Sequence, residues 1–361
     1  MRTPKEFTAE LPPRKRRAAQ DLANRSADGR IAQILSLRVG HKLEVGQQHT
    51  FVGRNMNTFS EEKTYKKCPV CNFAPLKLWR EKEGGGANYK MDICDSCGYS
   101  FVNPRPTYDF LMDFYSTLGH GHSGDGKGAP TIDEIIYKEE IDPGSTIDAK
   151  RIVKTLKPLL RKSSKNRFLD VGCGYGFFSR EALNAGFTVS SLELADTERG
   201  IAAQISGVQP VASSFEEYKG EANSLEVVLM SQILEHVLDI NEWVAKAKEL
   251  LVDDGMLVVA LPNFGSLFRR IMQEKEPYIS PPMHLNYFSP NSLSKLLGKH
   301  GFKVEKIQWI STLPKSTFEK RVPKFGKPFL PLIGAVASIP INIIDLIHLG
   351  SIINIYGRKV S

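Results

Sequence analysis

No stretch of this 361-residue chain reaches the roughly 18 uninterrupted apolar residues that a membrane span needs. The nearest approach, Phe329 to Ile347, is interrupted by Pro331, Pro340, Asn342 and Asp345. The opening MRTPKEFTAELPPRKRRAAQ has no apolar core of the kind a secretory signal requires. A cytoplasmic location is therefore the expectation, with peripheral membrane contact through residues 329–349 as the lesser one. Cysteine is scarce, five in all, and four of the five form two CxxC pairs. Without a secretory signal, that arrangement favours a metal over disulfides. A basic working surface is also missing. The net charge of +8 sits at the ends: residues 1–67 hold 14 Lys and Arg against 7 Asp and Glu, and residues 311–361 hold 7 against 2. Residues 68–310 are left with 27 basic against 31 acidic side chains. This weakens any nucleic-acid reading, since phosphate tracking needs cations along the binding surface. The run Arg14-Lys15-Arg16-Arg17 reads as solvated tail in preference to a targeting signal or an anion contact.

What is present reads as a small module followed by one full α/β domain. Residues 1–65 are polar and basic, an arm with one helix expected around Asp21 to Leu37. Residues 66–118 carry the cysteine pairs among short β-prone stretches. A connector follows at 119–130, where Gly119 to Gly128 is half glycine and reads as a flexible link, its two histidines held by nothing rigid. From 131 to 361 short apolar runs alternate with helical spacing, the pattern of a parallel sheet covered by helices. Strands are expected at Arg167–Val171, Thr188–Leu192, Val208–Ala212, Leu225–Ser231, Gly255–Leu261, Phe302–Ile310 and Gly350–Lys359, seven in all. Helices are expected at 145–160, 177–185, 197–205, 241–251 and 289–300, the last opening with Ser289-Pro290. The apolar segment before the last strand is expected to be a connecting helix.

The strongest chemical signal is Phe168-Leu-Asp-Val-Gly-Cys-Gly-Tyr-Gly-Phe177. An apolar strand ends in Gly172, Gly174 and Gly176 and a helix begins at once, a turn that lets backbone approach a ligand at the carboxyl end of the sheet. The dinucleotide fingerprint G-x-G-x-x-G/A fits less well, because the third glycine arrives one residue early. Asp170 precedes the first glycine by two residues. Glu193 follows Gly172 by 21, at the end of the second strand, where an acid accepts from both ribose hydroxyls. The stretch LDVGCGYGFFSREALNAGFTVSSLEL resembles motif I and the acidic loop of class I S-adenosylmethionine-dependent methyltransferases. The resemblance runs through most of residues 145–310. Leu229 to Val237 is similar to the fourth-strand motif, Leu250 to Asn263 to the turn and fifth strand, and His284-Leu-Asn-Tyr-Phe-Ser289 to a segment of the subgroup acting on small metabolites, sugars and lipids. It implies a Rossmann-like seven-stranded sheet with S-adenosylmethionine as cofactor. By position, Asp170, Gly172, Gly174 and Gly176 would surround the methionine moiety and Glu193 the ribose. Ser213, Ser214 and Phe215 fall at the adenine edge, where family members often carry an acid; here the acid arrives only at Glu216. Gln232 and Ile233 would flank the methyl group.

A hydroxyl acceptor needs a base with a near-neutral pKa. His284 and His236 are the two histidines in motif positions, and Tyr287 and Asn263 are candidates to complete the acceptor pocket. Either histidine has an alternative as a structural side chain bonded to a turn carbonyl. Cys68-Pro-Val-Cys71, then 22 residues, then Cys94-Asp-Ser-Cys97-Gly98 has the spacing of a zinc ribbon. Four thiolates with no open position make a structural site. The expected function is methyl transfer to a small molecule, with a sugar or glycolipid intermediate as best candidate. Two rivals stand beside it: an RNA methyltransferase, favoured by the ribbon and the basic tails, and a non-catalytic scaffold that binds cofactor or partner only.

Overall fold

Alternating apolar strands and one-sided helices dictate the architecture, and the computed structural model describes it over residues 61–111, 114, 130–161, 165–311 and 342–360. The basic arm, the helix expected at 21–37, residues 119–129 of the connector and residues 329–341 lie outside the described residues. The cysteine-bearing segment holds β1 (Glu61–Lys63), β2 (Lys77–Gly84), β3 (Ala87–Ile93), β4 (Ser100–Val102) and β5 (Arg105–Pro106). β2, β3 and β4 form an antiparallel meander, while β1 pairs with β5.

Next come α1 (Ile132–Ile141) and α2 (Gly144–Leu156). α1 opens on a capping box in which Thr131 and Glu134 exchange bonds across the first turn. α2 buries Ala149, Ile152, Val153 and Leu156, the i, i+3, i+4, i+7 stripe of a helix lying on a sheet. The sheet strands and their helices follow as β6 (Arg167–Val171), α3 (Phe177–Asn184), β7 (Thr188–Leu192), α4 (Asp196–Ser206), β8 (Leu225–Ser231), α5 (Ile240–Leu250), β9 (Leu251–Pro262), α6 (Leu267–Met272), β10 (Asn286–Tyr287), α7 (Pro290–Lys299), β11 (Phe302–Ile310) and β12 (Ile352–Lys359). The main sheet has the order β11-β12-β9-β8-β6-β7. β7, β6, β8 and β9 run parallel, and β12 lies antiparallel between β9 and β11. β8 is buried along six of its seven residues, as a strand covered on both faces must be.

The expected seven-stranded sheet is corrected to six strands among the described residues. The stretch Val208–Ala212 makes a single bridge, Val211 to Leu192. Pro210 has no amide hydrogen to offer a ladder, and the chain turns immediately, Ser213 N bonding to Val211 O at 3.0 Å. No helix among the described residues is long and apolar enough to cross a membrane. Of the segment 329–349, residues 342–346 are helical, and Ile343, Leu346 and Ile347 are exposed.

The cysteine segment and the main sheet share a core. Cys68, Cys94, Cys97, Tyr99 and Phe101 belong to the same buried cluster as Phe288, Leu293 and the faces of β8 and β9. β10 joins the meander as a fourth strand through β4, in the order β10-β4-β3-β2. A backbone ladder therefore joins the two parts, as well as apolar contact.

Candidate functional site

The parallel strands β6, β7, β8 and β9 all end on one side of the sheet, and the chemistry-bearing turns gather there, as the open α/β topology requires. The glycine turn after β6 divides its labour. Gly172, Gly174 and Gly176 all adopt positive φ (65°, 52° and 81°), a region side chains rarely enter. A Cβ on Gly176 would stand 3.0 Å from the backbone of Ala202 in α4, and one on Gly172 would strike Ile233, whereas Gly174 faces open space. Two of the glycines thus let α4 and the β8 turn close in, and the third leaves room for a ligand.

Glu193, at the end of β7, is held by two amides: Gly174 N donates to one carboxylate oxygen at 2.9 Å and Ala195 N to the other at 3.0 Å. Its carboxylate is thereby fixed beside the open glycine and keeps lone pairs for further donors. Asp170 does not reach that space. It is buried under the turn and accepts from Ser179 Oγ at 2.7 Å, and burial pushes its carboxyl up to about 6. Phe215 is likewise turned inward, fully buried against Trp243 at 5.1 Å between ring centroids. Ser214 is left at the partly exposed edge, its hydroxyl accepting from Glu217 N. Glu216 is occupied by Trp243 Nε1 at 2.6 Å. Gln232 is exposed at the end of β8 with φ 56°, a conformation that costs a non-glycine residue about 1 kcal/mol or more. Ile233 is the side chain packed on Gly172.

His236 and His284, 48 residues apart in sequence, are brought together with ring centroids 4.7 Å apart. His236 bonds through Nδ1 to Met283 O and His284 through Nδ1 to Tyr278 O, both at 2.7 Å. His284 is buried, and that burial lowers its pKa. Beside them stands Glu235, a residue that sequence reasoning passed over in favour of its neighbour. Its side chain is buried, neither carboxylate oxygen has a hydrogen-bond partner, and burial pushes its pKa up to about 8. An oxygen of Glu235 and one nitrogen from each ring lie within 4.8 Å of one another. The signal was legible in Leu-Glu-His-Val, an acid beside the histidine already singled out.

A small cavity lined by Glu235, Asn263, Arg269, Glu276, Tyr278 and His284, among others, opens on this cluster. Asn263 and Tyr287 line it but spend their polar groups on backbone. Asn263 Nδ2 donates to Gly350 O and its Oδ1 accepts from Gly265 N; Tyr287 Oη donates to His284 O at 2.8 Å. Arg269 lays its guanidinium over the Phe264 ring at 4.1 Å. The turn 234–237 that carries the cluster is clamped by Asn286. Its Nδ2 donates to Leu234 O and Val237 O, and its Oδ1 accepts from Tyr99 Oη and Arg105 Nη2, both at 2.5 Å.

The four cysteines, two ahead of the meander and two between β3 and β4, converge, with Cys68 Sγ to Cys97 Sγ and Cys71 Sγ to Cys94 Sγ both at 3.6 Å. Tetrahedral zinc with bonds near 2.3 Å sets sulfurs about 3.8 Å apart, so the donor set fits that ion. The two loops repeat one geometry. Cys68 N bonds to Phe73 O and Asn72 N to Cys68 O; Cys94 N bonds to Tyr99 O and Gly98 N to Cys94 O. Asn72 and Gly98 hold the same positive-φ position.

Residues 146–307 match the family model described as "Methyltransferase domain". A ubiquinone biosynthesis O-methyltransferase of Caulobacter sp. (strain K31) is 30% identical over 103 residues, 27% of this chain and 41% of that protein. The mitochondrial ubiquinone biosynthesis O-methyltransferase of Arabidopsis thaliana is 27% identical over 104 residues, 27% of this chain and 32% of that protein. The chain thus spans about two fifths or less of the length of these relatives. Among solved structures, a SAM-dependent methyltransferase from Archaeoglobus fulgidus is 20% identical, with 62% of this chain and 99% of that one covered at a TM-score of 0.44.

Proposed function

We propose that this chain, which carries a methyltransferase domain over residues 146–307, transfers a methyl group from S-adenosylmethionine to an oxygen of a small-molecule acceptor. The observation that supports this most directly is the open face of Gly174 beside a carboxylate anchored by two backbone amides. A nucleoside cofactor needs that combination: close backbone approach, and an acid at the end of the second strand. When bound, S-adenosylmethionine supplies a methyl group already activated on a sulfonium, so the protein has mainly to hold the acceptor in line. In this reading Glu193 accepts from the ribose hydroxyls, the turn at 172–176 borders the methionine moiety, Ser214 stands at the adenine edge and Gln232 faces the transferring group. Asp170 supports the turn from below. His284 and Glu235 line the cavity on the acceptor side with His236 packed against His284, and a neutral imidazole there engages the acceptor hydroxyl.

The relatives are described as O-methyltransferases, which favours oxygen as the acceptor atom. For the acceptor itself we favour a sugar or glycolipid intermediate, on the resemblance of the segment at 284–289. Nucleic acid is disfavoured by the acidic balance of residues 68–310. The four cysteines hold a structural zinc in this reading.

Calorimetric titration of the purified protein with S-adenosylmethionine and S-adenosylhomocysteine tests the proposal. Binding in the micromolar range is expected, weakened at least tenfold in Glu193→Ala, since two charge-assisted bonds to the ribose are worth about 1.5–3 kcal/mol each. A flat titration for the wild type would overturn it.

A further inference from the structure

We propose that Lys82, on the edge strand β2 of the cysteine module, is a positioning residue for the acceptor side of the crevice. It seats the segment 274–284, whose Tyr278 carbonyl in turn sets the proton of His284.

The segment that walls the cavity has little regular structure of its own. A 3₁₀ turn at Gln273–Lys275 opens it, and its backbone bonds are short-range: Glu276 N to Gln273 O, Ile279 N to Glu276 O and His284 N to Ser280 O. A chain of this kind keeps its place through contacts from outside. Two come from β2. Lys82 Nζ donates to Glu274 O at 2.7 Å and also to Ile279 O, so one ammonium with three donors bridges the two carbonyls that flank Glu276 and Tyr278. The first of them lies in the 3₁₀ turn toward its carboxyl end, where a cation is favoured. Two residues on, Gly84 meets the same segment. A Cβ there would stand 1.8 Å from Pro281 O, closer than any side chain can come, so β2 and the segment touch backbone to backbone. The Arg80–Glu274 pair at 3.2 Å is half-exposed and adds little.

What the seat fixes is the cavity wall. Glu276, Tyr278 and His284 all line it. Glu276 Oε2 accepts from Tyr278 N at 2.8 Å, and His284 Nδ1 meets Tyr278 O at 2.7 Å. A carbonyl can only accept, so the proton of the neutral ring is on Nδ1 and the basic lone pair on Nε2. A neutral imidazole left to itself prefers the opposite tautomer. Lys82 therefore acts on the ring through the loop. It is also a counter-charge to Glu276, whose pKa is raised by burial. The cofactor side is built separately: Glu193 and Ser214 are held by bonds from Gly174, Ala195 and Glu217.

The seat stands independently of the methyl-transfer reading; its consequence for turnover rests on that reading, in which the imidazole engages the acceptor hydroxyl.

The test is long-range proton–nitrogen correlation of the histidine rings in the full-length chain, at a pH where they are neutral. The His284 signals are assigned by their loss in His284→Gln. In the wild type, Nδ1 is expected at the pyrrole-type shift of a protonated nitrogen and Nε2 at the pyridine-type shift. In Lys82→Met the two shifts are expected to converge or trade places as the Nε2–H tautomer gains. The Ile279 and His284 amides are expected to exchange with solvent about tenfold faster or more. Affinity for S-adenosylhomocysteine, by calorimetry on the same samples, is expected to stay at the wild-type value. Gly84→Ala, which displaces Pro281 with Lys82 in place, is expected to move the same signals, and it decides the question should Lys82→Met not fold. A folded Lys82→Met with wild-type His284 shifts and amide exchange overturns the proposal, since a lysine that merely stabilises the fold would leave them so. A matching loss of nucleoside affinity overturns it too, because the effect is then not confined to the acceptor side. A chain in which the His284 signals respond but no nucleoside binds sinks the methyl-transfer reading and leaves the seat standing.

Discussion

Asp170 shows how one side chain records its environment. Its carboxyl is buried beneath the glycine turn with Ser179 as its side-chain donor, and burial outweighs that bond, raising the pKa from 3.8 to about 6. An acid whose folded pKa lies above its unfolded value binds more protons when folded, so stability falls as pH rises through the window between the two values. The shift corresponds to a loss on the order of 3 kcal/mol, complete above about pH 7. Asp170→Asn keeps an acceptor for Ser179 and removes the charge. Urea unfolding should find it gaining on the wild type by up to about 3 kcal/mol between about pH 3.5 and pH 8; parallel pH profiles would refute the assignment. The same residue shows what sequence can and cannot tell. Its place two residues before Gly172 was legible, but a strand's last residues point alternately to opposite faces, and which face meets the ligand depends on the neighbours. Phe215 was hidden for a similar reason, its ring being claimed by Trp243, a partner 28 positions away. The position of Glu193 was readable, because the apolar run before it fixes where the strand ends.

At the scale of elements, the joint between β4 and β10 decides how the cysteine module bears on the site. Asn286 in β10 uses both donors and its acceptor oxygen at once, binding the turn 234–237 on one side and Tyr99 and Arg105 on the other. Asn286→Ala strips partners from several buried groups, each costing about 1–3 kcal/mol, so a loss of about 2–4 kcal/mol in urea unfolding is expected. Tyr99→Phe removes the hydroxyl's bonds to Asn286 and Arg105 but leaves Arg105 on Asn286, for which about 1–2 kcal/mol is expected. Equal losses in the two variants would show that the network is not centred on Asn286. None of this joint was visible in the sequence. The strand is two residues long, below what periodicity can register, and its partner lies some 185 residues earlier. The long strands were another matter: Arg167–Val171, Thr188–Leu192, Leu225–Ser231 and Phe302–Ile310 are where apolar runs place them. The third strand failed because a proline at its centre outweighs a favourable apolar count.

For the whole molecule, the shared core matters most. Cys94, Cys97 and Tyr99 are buried in one cluster with β8, β9 and α7, and all described residues fall within one compact unit. Module and sheet should therefore melt together. Differential scanning calorimetry of the zinc-loaded chain is expected to give one transition for both, moved as a whole to lower temperature by a chelator; a separate low-temperature peak for the module would contradict this. The position of β12 has a further consequence, for synthesis. β9 and β11 are adjacent to it on either side, yet they leave the ribosome 90 and 42 residues before its first residue. Until Ile352–Lys359 arrives, two long strands present bare hydrogen-bonding edges, the surface on which chains pair with one another. The sheet is sealed by one of its last strands to be made, so a nascent or truncated chain is the form that needs a chaperone.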